Sequence, residues 1–275
     1  FAVVGFFTPI FILFIIFSFD NKIHTREDLE SLTMSKIPIV SEIPYVRNKK
    51  DLENIIEKNS SNILSESLRI LVSNLNYSFV INSEKKSKTI LVTSSVKGEG
   101  KTLISVNTAK LLSDKNKKTV LIGADLRNPQ IHKFLNLNKS STGLSDYLTS
   151  DKINYDDIIV KEDNLDIILS GNIPPNPDEL LSSDKFKELV KTLKKKYEYI
   201  LIDSAPSLVV SDTKQISGLA DSTLYVVRAN YTAKAIVDFI NDNHRNNKFN
   251  KLNLVLNSVG ENISSKYGYQ YGYGY

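Results

Sequence analysis

The sequence of 275 residues has no cysteine and no tryptophan, a single methionine and only three histidines. Without cysteine there is no disulfide and no thiolate-ligated metal, and the composition fits a reducing compartment. His24, His132 and His244 lie far apart and show no spacing of the His-Glu-x-x-His kind, so they read as ordinary surface or core residues. A large excess of one charge is also missing. The 35 Lys and Arg against 31 Asp and Glu leave a formal charge of +4, too mild to argue for nucleic acid, and no nucleic-acid partner is expected. A hydrophobic fraction of 41% with only 11 glycines is globular in character, and the length allows one large domain plus an appendage. The first residue is Phe1 rather than methionine, which suggests a piece of a longer protein.

What is present begins with a run from Phe1 to Phe19 that carries no charge. Nineteen residues of helix span about 28 Å, close to a bilayer core, and the expectation is a transmembrane helix over 1–19. A buried core helix is the competing reading. A signal peptide is disfavoured because no basic stretch precedes the run and no small-residue cleavage site follows it. Pro9 is compatible with a kinked membrane helix. Lys22, His24 and Arg26 come next, and the positive-inside tendency then puts the C-terminal side in the cytoplasm, at the inner (cytoplasmic) membrane. Residues 20–60 read as a juxtamembrane linker, an extended tether with Pro38, Pro44 and the basic run Arg47-Asn48-Lys49-Lys50. That basic run is either a lipid contact or a solvated turn.

From residue 61 the pattern becomes that of a folded domain, expected over 61–265. A helix over 65–77 has Leu68, Leu71, Val72 and Leu75 on one side, with Glu66 and Arg69 three residues apart. Thr89-Ile90-Leu91-Val92 reads as a buried strand, and 103–112 as a helix. Between them lies Thr93-Ser94-Ser95-Val96-Lys97-Gly98-Glu99-Gly100-Lys101-Thr102, a phosphate-binding loop in form. Gly98 and Gly100 let backbone N–H groups approach an anion, the helix start adds partial positive charge, Lys101 reaches terminal phosphates, and Thr102 offers a hydroxyl to Mg²⁺. Ser95 stands where the usual pattern begins with glycine. A serine- and glycine-rich turn with a surface lysine is the alternative.

Further strands follow at 118–125, 165–171, 199–203, 224–228 and 252–257, separated by helical stretches. This alternation predicts an α/β fold with a mostly parallel sheet and helices on both faces. Asp125, Arg127 and Asp203 then fall at the C-terminal ends of strands, the edge where such sheets bind ligands. Asp203 ends an apolar run and is the candidate Walker B acid, holding Mg²⁺ directly or through water; a turn-capping aspartate is the bland reading. Strand order alone makes Arg228 and Asn257 candidates for an adenine pocket.

The order of these motifs resembles the bacterial tyrosine kinases of capsule and exopolysaccharide export, relatives of the MinD/ParA class of P-loop NTPases. Gly98 to Thr102 match the end of Walker A, Gly123-Ala124-Asp125-Leu126-Arg127 occupies an extra Asp-x-Asp-x-Arg motif, and Ile202 to Pro206 match Walker B. The resemblance implies ATP and Mg²⁺ as cofactors, with Lys97, Gly98, Glu99, Gly100, Lys101 and Thr102 on the nucleotide, Thr102, Asp125 and Asp203 at the metal, and Lys101, Asp125 and Asp203 catalytic. It implies a ring-like homo-oligomer contacting through Glu66 and Arg69, a membrane location, polysaccharide polymerisation or export machinery as partner, and a tyrosine phosphatase. Three departures stand out. Gly123 replaces the first aspartate of the extra motif, Val96 occupies the place of the MinD-type signature lysine, and Val72 replaces the last arginine of Glu-x-x-Arg-x-x-Arg.

The tail at 266–275 holds Tyr267, Tyr269, Tyr271, Tyr273 and Tyr275, five of the chain's 13 tyrosines. Interleaved glycines disfavour packing, so these phenols are candidate phosphoacceptors; an adhesive low-complexity terminus is the alternative. Two functions stay open, a tyrosine autokinase and a non-kinase ATP-driven assembly switch of a membrane exporter.

Overall fold

The computed structural model describes residues 9, 11, 20–34, 36–46, 63–80, 86–138, 142–208 and 212–260. Apart from Pro9 and Phe11, the hydrophobic run at 1–19 falls outside these residues, as do the basic run at 47–50 and the tyrosines of the tail. Among the described residues no helix is long and apolar enough to cross a membrane.

Eight strands form one sheet: β1 (Ile39–Pro44), β2 (Lys88–Ser94), β3 (Thr119–Ala124), β4 (Ile159–Glu162), β5 (Leu165–Ile168), β6 (Tyr199–Ser204), β7 (Ser222–Arg228) and β8 (Leu252–Val259). Their order is β1-β8-β7-β2-β6-β3-β5-β4, and only the β4–β5 pair is antiparallel. The central strands β3 and β6 are buried at every position, as parallel strands covered on both faces should be. Alternate residues serve two cores. Leu91, Ile122, Ile202, Val227 and Leu256 pack on one face, and Ile90, Leu121, Leu201, Val226 and Val255 on the other.

The first face is covered by α4 (Asp184–Lys196), whose Phe186, Leu189, Val190 and Leu193 are buried at helical spacing. Each contributes about 1.5–3 kcal/mol of apolar burial. Ser183 caps this helix by accepting the Phe186 N–H at 3.2 Å, and Lys194 to Lys196 complement the dipole at its other end. The second face is covered by α2 (Ile63–Val80) and α3 (Lys101–Asp114). The predicted face of α2 is the buried one, with Leu68, Leu71, Val72 and Leu75 inside. Glu66 and Arg69 pair with each other at 3.2 Å on its exposed side, an ion pair of at most about 1 kcal/mol.

Part of the expected tether is folded domain. α1 (Arg26–Leu32) is capped by Thr25, and β1 extends the sheet beside β8. The two prolines do fall where a strand tolerates them, Pro38 just before β1 and Pro44 at its end on the sheet edge. The short edge strand β4 is a second element with no strong sequence signal, since three of its four residues are only partly buried and Lys161 is exposed.

Candidate nucleotide site

The sheet topology makes one point of divergence. From β2 the chain moves to β3 on one side, and from β6 it crosses to β7 on the other. Ligands bind at the carboxyl ends of strands at such a point, and the 94–100 loop leaves β2 there and runs directly into α3. Gly98 and Gly100 have φ of 92° and 98°, the left-handed region that favours glycine. Gly100 has a second reason to be glycine, because a Cβ there would stand 2.1 Å from Asn257 Nδ2.

The register aligns Val92, Asp203 and Gly123 across three neighbouring strands, so Asp203 faces the same side as α3. Lys101 Nζ donates to Asp125 Oδ2 at 2.8 Å, and Thr102 Oγ1 donates to Asp203 Oδ2 at 2.9 Å. Asp125 Oδ1 accepts the Asn128 N–H at 2.9 Å. Lys101, Thr102, Asp125 and Asp203 are all buried. Burial alone would lower the Lys101 pKa, but Asp203 and Asp125 more than offset it and the ammonium is held above its ordinary range. Burial pushes the Asp203 carboxyl up, with Lys101 opposing and Asp125 adding to the rise. The four catalytic and metal candidates are therefore brought together as one charge cluster. Lys101, Thr102 and Asp125 line a cavity of about 400 Å³ that extends to Phe134 and Pro206, and Asp203 is buried behind Thr102.

Asp203 Oδ1 is buried and, among the described residues, has no hydrogen-bond partner. With the Thr102 hydroxyl on the sister oxygen, this orphaned acceptor fits Mg²⁺ arriving with nucleotide phosphates, since that ion takes hard oxygen donors, often through water. The absent first aspartate of the extra motif leaves no room for itself: a Cβ on Gly123 would meet Ser170 Oγ at 2.7 Å.

Other candidates behave differently. Lys97 and Gly98 are exposed at the cavity mouth, whereas the Glu99 side chain turns inward and is fully buried. Its carboxylate accepts the Val96 N–H at 2.7 Å and a short hydrogen bond from Thr232, and burial raises its pKa. Arg228 and Asn257, expected at an adenine pocket, instead donate to the loop's backbone: Arg228 Nη1 to Gly98 O at 3.1 Å and Asn257 Nδ2 to Glu99 O at 2.8 Å. Sequence order could put them near the loop but could not say which atoms they meet. Tyr225 and Ser207 carried no sequence signal. The Tyr225 hydroxyl lies 2.9 Å from Ser95 Oγ and 2.8 Å from Ser207 Oγ, and burial pushes this phenol up, keeping it protonated. That contact gives the unusual Ser95 a role, tying the loop start to the segment after Asp203.

Comparison with known proteins bears on the fold and the family. An AAA domain model matches residues 87–254. The tyrosine-protein kinase YwqD of Bacillus subtilis is 31% identical over 207 residues, 74% of this chain and 85% of that protein. The chain belongs to the tyrosine-protein kinase family built on this domain. The crystal structure of the chimerical protein CapA2B2 superposes with a TM-score of 0.75 at 30% identity, covering 86% of this chain and 99% of that one. The cell division ATPase MinD of Pyrococcus furiosus shares the fold, with a TM-score of 0.51, 23% identity, and coverage of 62% and 71%. Some members of the kinase family are much longer. The chain spans 35% and 36% of the length of curated relatives from Klebsiella pneumoniae and Erwinia amylovora.

Proposed function

We propose that the chain is the catalytic part of an ATP-dependent protein tyrosine autokinase, transferring the γ-phosphate of ATP to the cluster Tyr267 to Tyr275. The observation that carries this reading is the buried cluster at the loop, with Lys101 charged between Asp125 and Asp203 and the Thr102 hydroxyl on Asp203. Phosphoryl transfer is mainly positioning and charge neutralisation. Nucleotide phosphates compete with Asp125 for the Lys101 ammonium, and a carboxylate released from that pair is free to accept the proton of an attacking phenol, whose ordinary pKa is about 10. Thr102 and Asp203 are the residues that would hold Mg²⁺, which would supply neutralisation of the charge developing on the transferred group.

The reading extends to setting. A transmembrane helix at 1–19 anchors the domain at the cytoplasmic membrane, beside polysaccharide polymerisation or export machinery. Copies assemble into a ring-like oligomer through the α2 face that carries Glu66 and Arg69, and one copy's tail enters another's site. Each phosphate adds about −1.5 to −2 charges, so a modified tail repels its neighbours and favours disassembly, with a tyrosine phosphatase resetting the cycle. The absence of a carboxylate at Gly123, where Ser170 fills the space, favours a second reading in which ATP binding drives assembly without transfer.

Replacing the five tail tyrosines by phenylalanine separates the two. The autokinase reading expects phosphotyrosine labelling to fall by more than about tenfold while Mg·ATP affinity stays within about twofold, because a phenol that only accepts the phosphate is not part of ground-state nucleotide binding. Undiminished labelling in that variant would remove the tail from the account.

A further inference from the structure

Three consecutive carbonyls of the phosphate loop are each held by a side chain from the β7–β8 edge. Tyr231 Oη donates to Lys97 O at 2.9 Å, Arg228 Nη1 to Gly98 O at 3.1 Å and Asn257 Nδ2 to Glu99 O at 2.8 Å. Their own positions are fixed. Arg228 and Asn257 are register partners on neighbouring parallel strands. Tyr231 sits in a tight turn after β7, where the N–H groups of Tyr231 and Thr232 donate to Arg228 O at 3.3 and 3.0 Å. The Arg228 guanidinium also lies over the Tyr231 ring, 5.1 Å from its centre.

A trans peptide holds its C=O and N–H on opposite sides of one plane. Fixing the carbonyls of Lys97, Gly98 and Glu99 toward the β7–β8 edge therefore fixes the N–H groups of Gly98, Glu99 and Gly100 in the opposite sense. Among the described residues the N–H groups of Gly98 and Gly100 meet no protein acceptor, and that of Glu99 has only the weak turn contact to Val96 O. The inward carboxylate of Glu99 adds a further tie, through Val96 N–H and Thr232 Oγ1. The loop thus has its carbonyls occupied and its amides largely unspent, which is the state an anion site requires before any anion arrives.

From this we infer that Tyr231, Arg228 and Asn257 are positioning residues for nucleotide phosphates, acting through the loop backbone and not through the adenine ring. The inference rests on the loop being a nucleotide site, and it assigns Tyr231 a role that its turn position does not advertise. It also accounts for glycine at two loop positions. A Cβ on Gly100 would collide with Asn257 Nδ2, so that donor reaches its carbonyl only because the side chain is absent, and a Cβ on Gly98 would crowd Tyr231 Oη at 3.1 Å.

The test compares ATP, GTP and inorganic tripolyphosphate, each with Mg²⁺, binding to the unaltered chain, Tyr231→Phe and Asn257→Ala by calorimetry, with thermal unfolding as a control. Tyr231→Phe removes one hydroxyl from a half-exposed ring and keeps its fold even if Asn257→Ala does not. Each lost hydrogen bond should weaken ATP and tripolyphosphate alike, by about fivefold to tenfold, with the ATP-to-GTP ratio unchanged. Weaker ATP binding with undiminished tripolyphosphate binding would put these residues at the base and overturn the inference, and so would affinities that do not move at all. If the unaltered chain binds none of the three ligands, the nucleotide reading itself fails, a result distinct from either of those.

Discussion

Lys101→Met abolishes phosphate transfer, lowering the rate by at least about a thousandfold, the scale expected when a preorganised charge at the reacting phosphates is lost. Methionine keeps most of the buried volume of the lysine stem and removes only the cation. In the structure that cation sits 2.8 Å from Asp125 and raises its own proton affinity through Asp203 and Asp125 together. The variant leaves two buried carboxylates without a counter-charge, a loss of about 3–5 kcal/mol of stability when both are ionised. The sign of its pH dependence follows. The Asp203 carboxyl is already raised by burial, with Lys101 holding it down. Without Lys101 it rises further, the folded state binds more protons than the unfolded chain, and stability is lost as pH rises through that raised value. Urea unfolding should therefore find the variant closer to the unaltered chain at about pH 5 than at about pH 8. An equal deficit at both values would show that the carboxylates do not respond to the lysine.

Asp203→Asn produces the opposite balance between activity and stability. Burial works against the ionised Asp203, and one of its oxygens has no partner among the described residues. An amide of the same shape lowers that cost, so the variant unfolds at the same or higher denaturant concentration. It loses a hard anionic donor beside Thr102, and Mg²⁺-dependent transfer falls by about a hundredfold to a thousandfold. Nucleotide affinity measured without Mg²⁺ should hold or rise, because one negative charge no longer faces the phosphates. A stabilised chain that transfers phosphate at an undiminished rate would mean that Asp203 is a turn-capping aspartate after all.

Both predictions rest on residues that could be read from the sequence. A β-branched run, a Gly-x-Gly-Lys-Thr end and a helical pattern specify strand, loop and helix locally, and the strand-end positions of Asp125 and Asp203 follow from period and length. The sequence could not supply contacts across the fold. The Tyr225 hydroxyl that links Ser95 and Ser207 lies within an apolar strand, where it reads as core. Thr232 reaches Glu99 from 133 positions away, so nothing local marks either residue as a partner of the other. Arg228 and Asn257 were legible as residues at the right sheet edge, but their register across β7 and β8 decides that they meet carbonyls. Residues 26–44 misled for another reason: their polar runs and prolines look like a tether, and only pairing with β8 makes β1 a strand. Gly123 reads in sequence as a missing carboxylate; in the fold it is a close approach to Ser170.

The central claim is transfer to the tail. It is tested most directly by incubating the chain with Mg·ATP, under conditions that permit oligomerisation, and mapping phosphotyrosine by mass spectrometry. The account predicts phosphate on residues among Tyr267, Tyr269, Tyr271, Tyr273 and Tyr275, and none in the Lys101→Met variant. A folded chain that binds Mg·ATP and carries no phosphate on those tyrosines would contradict it.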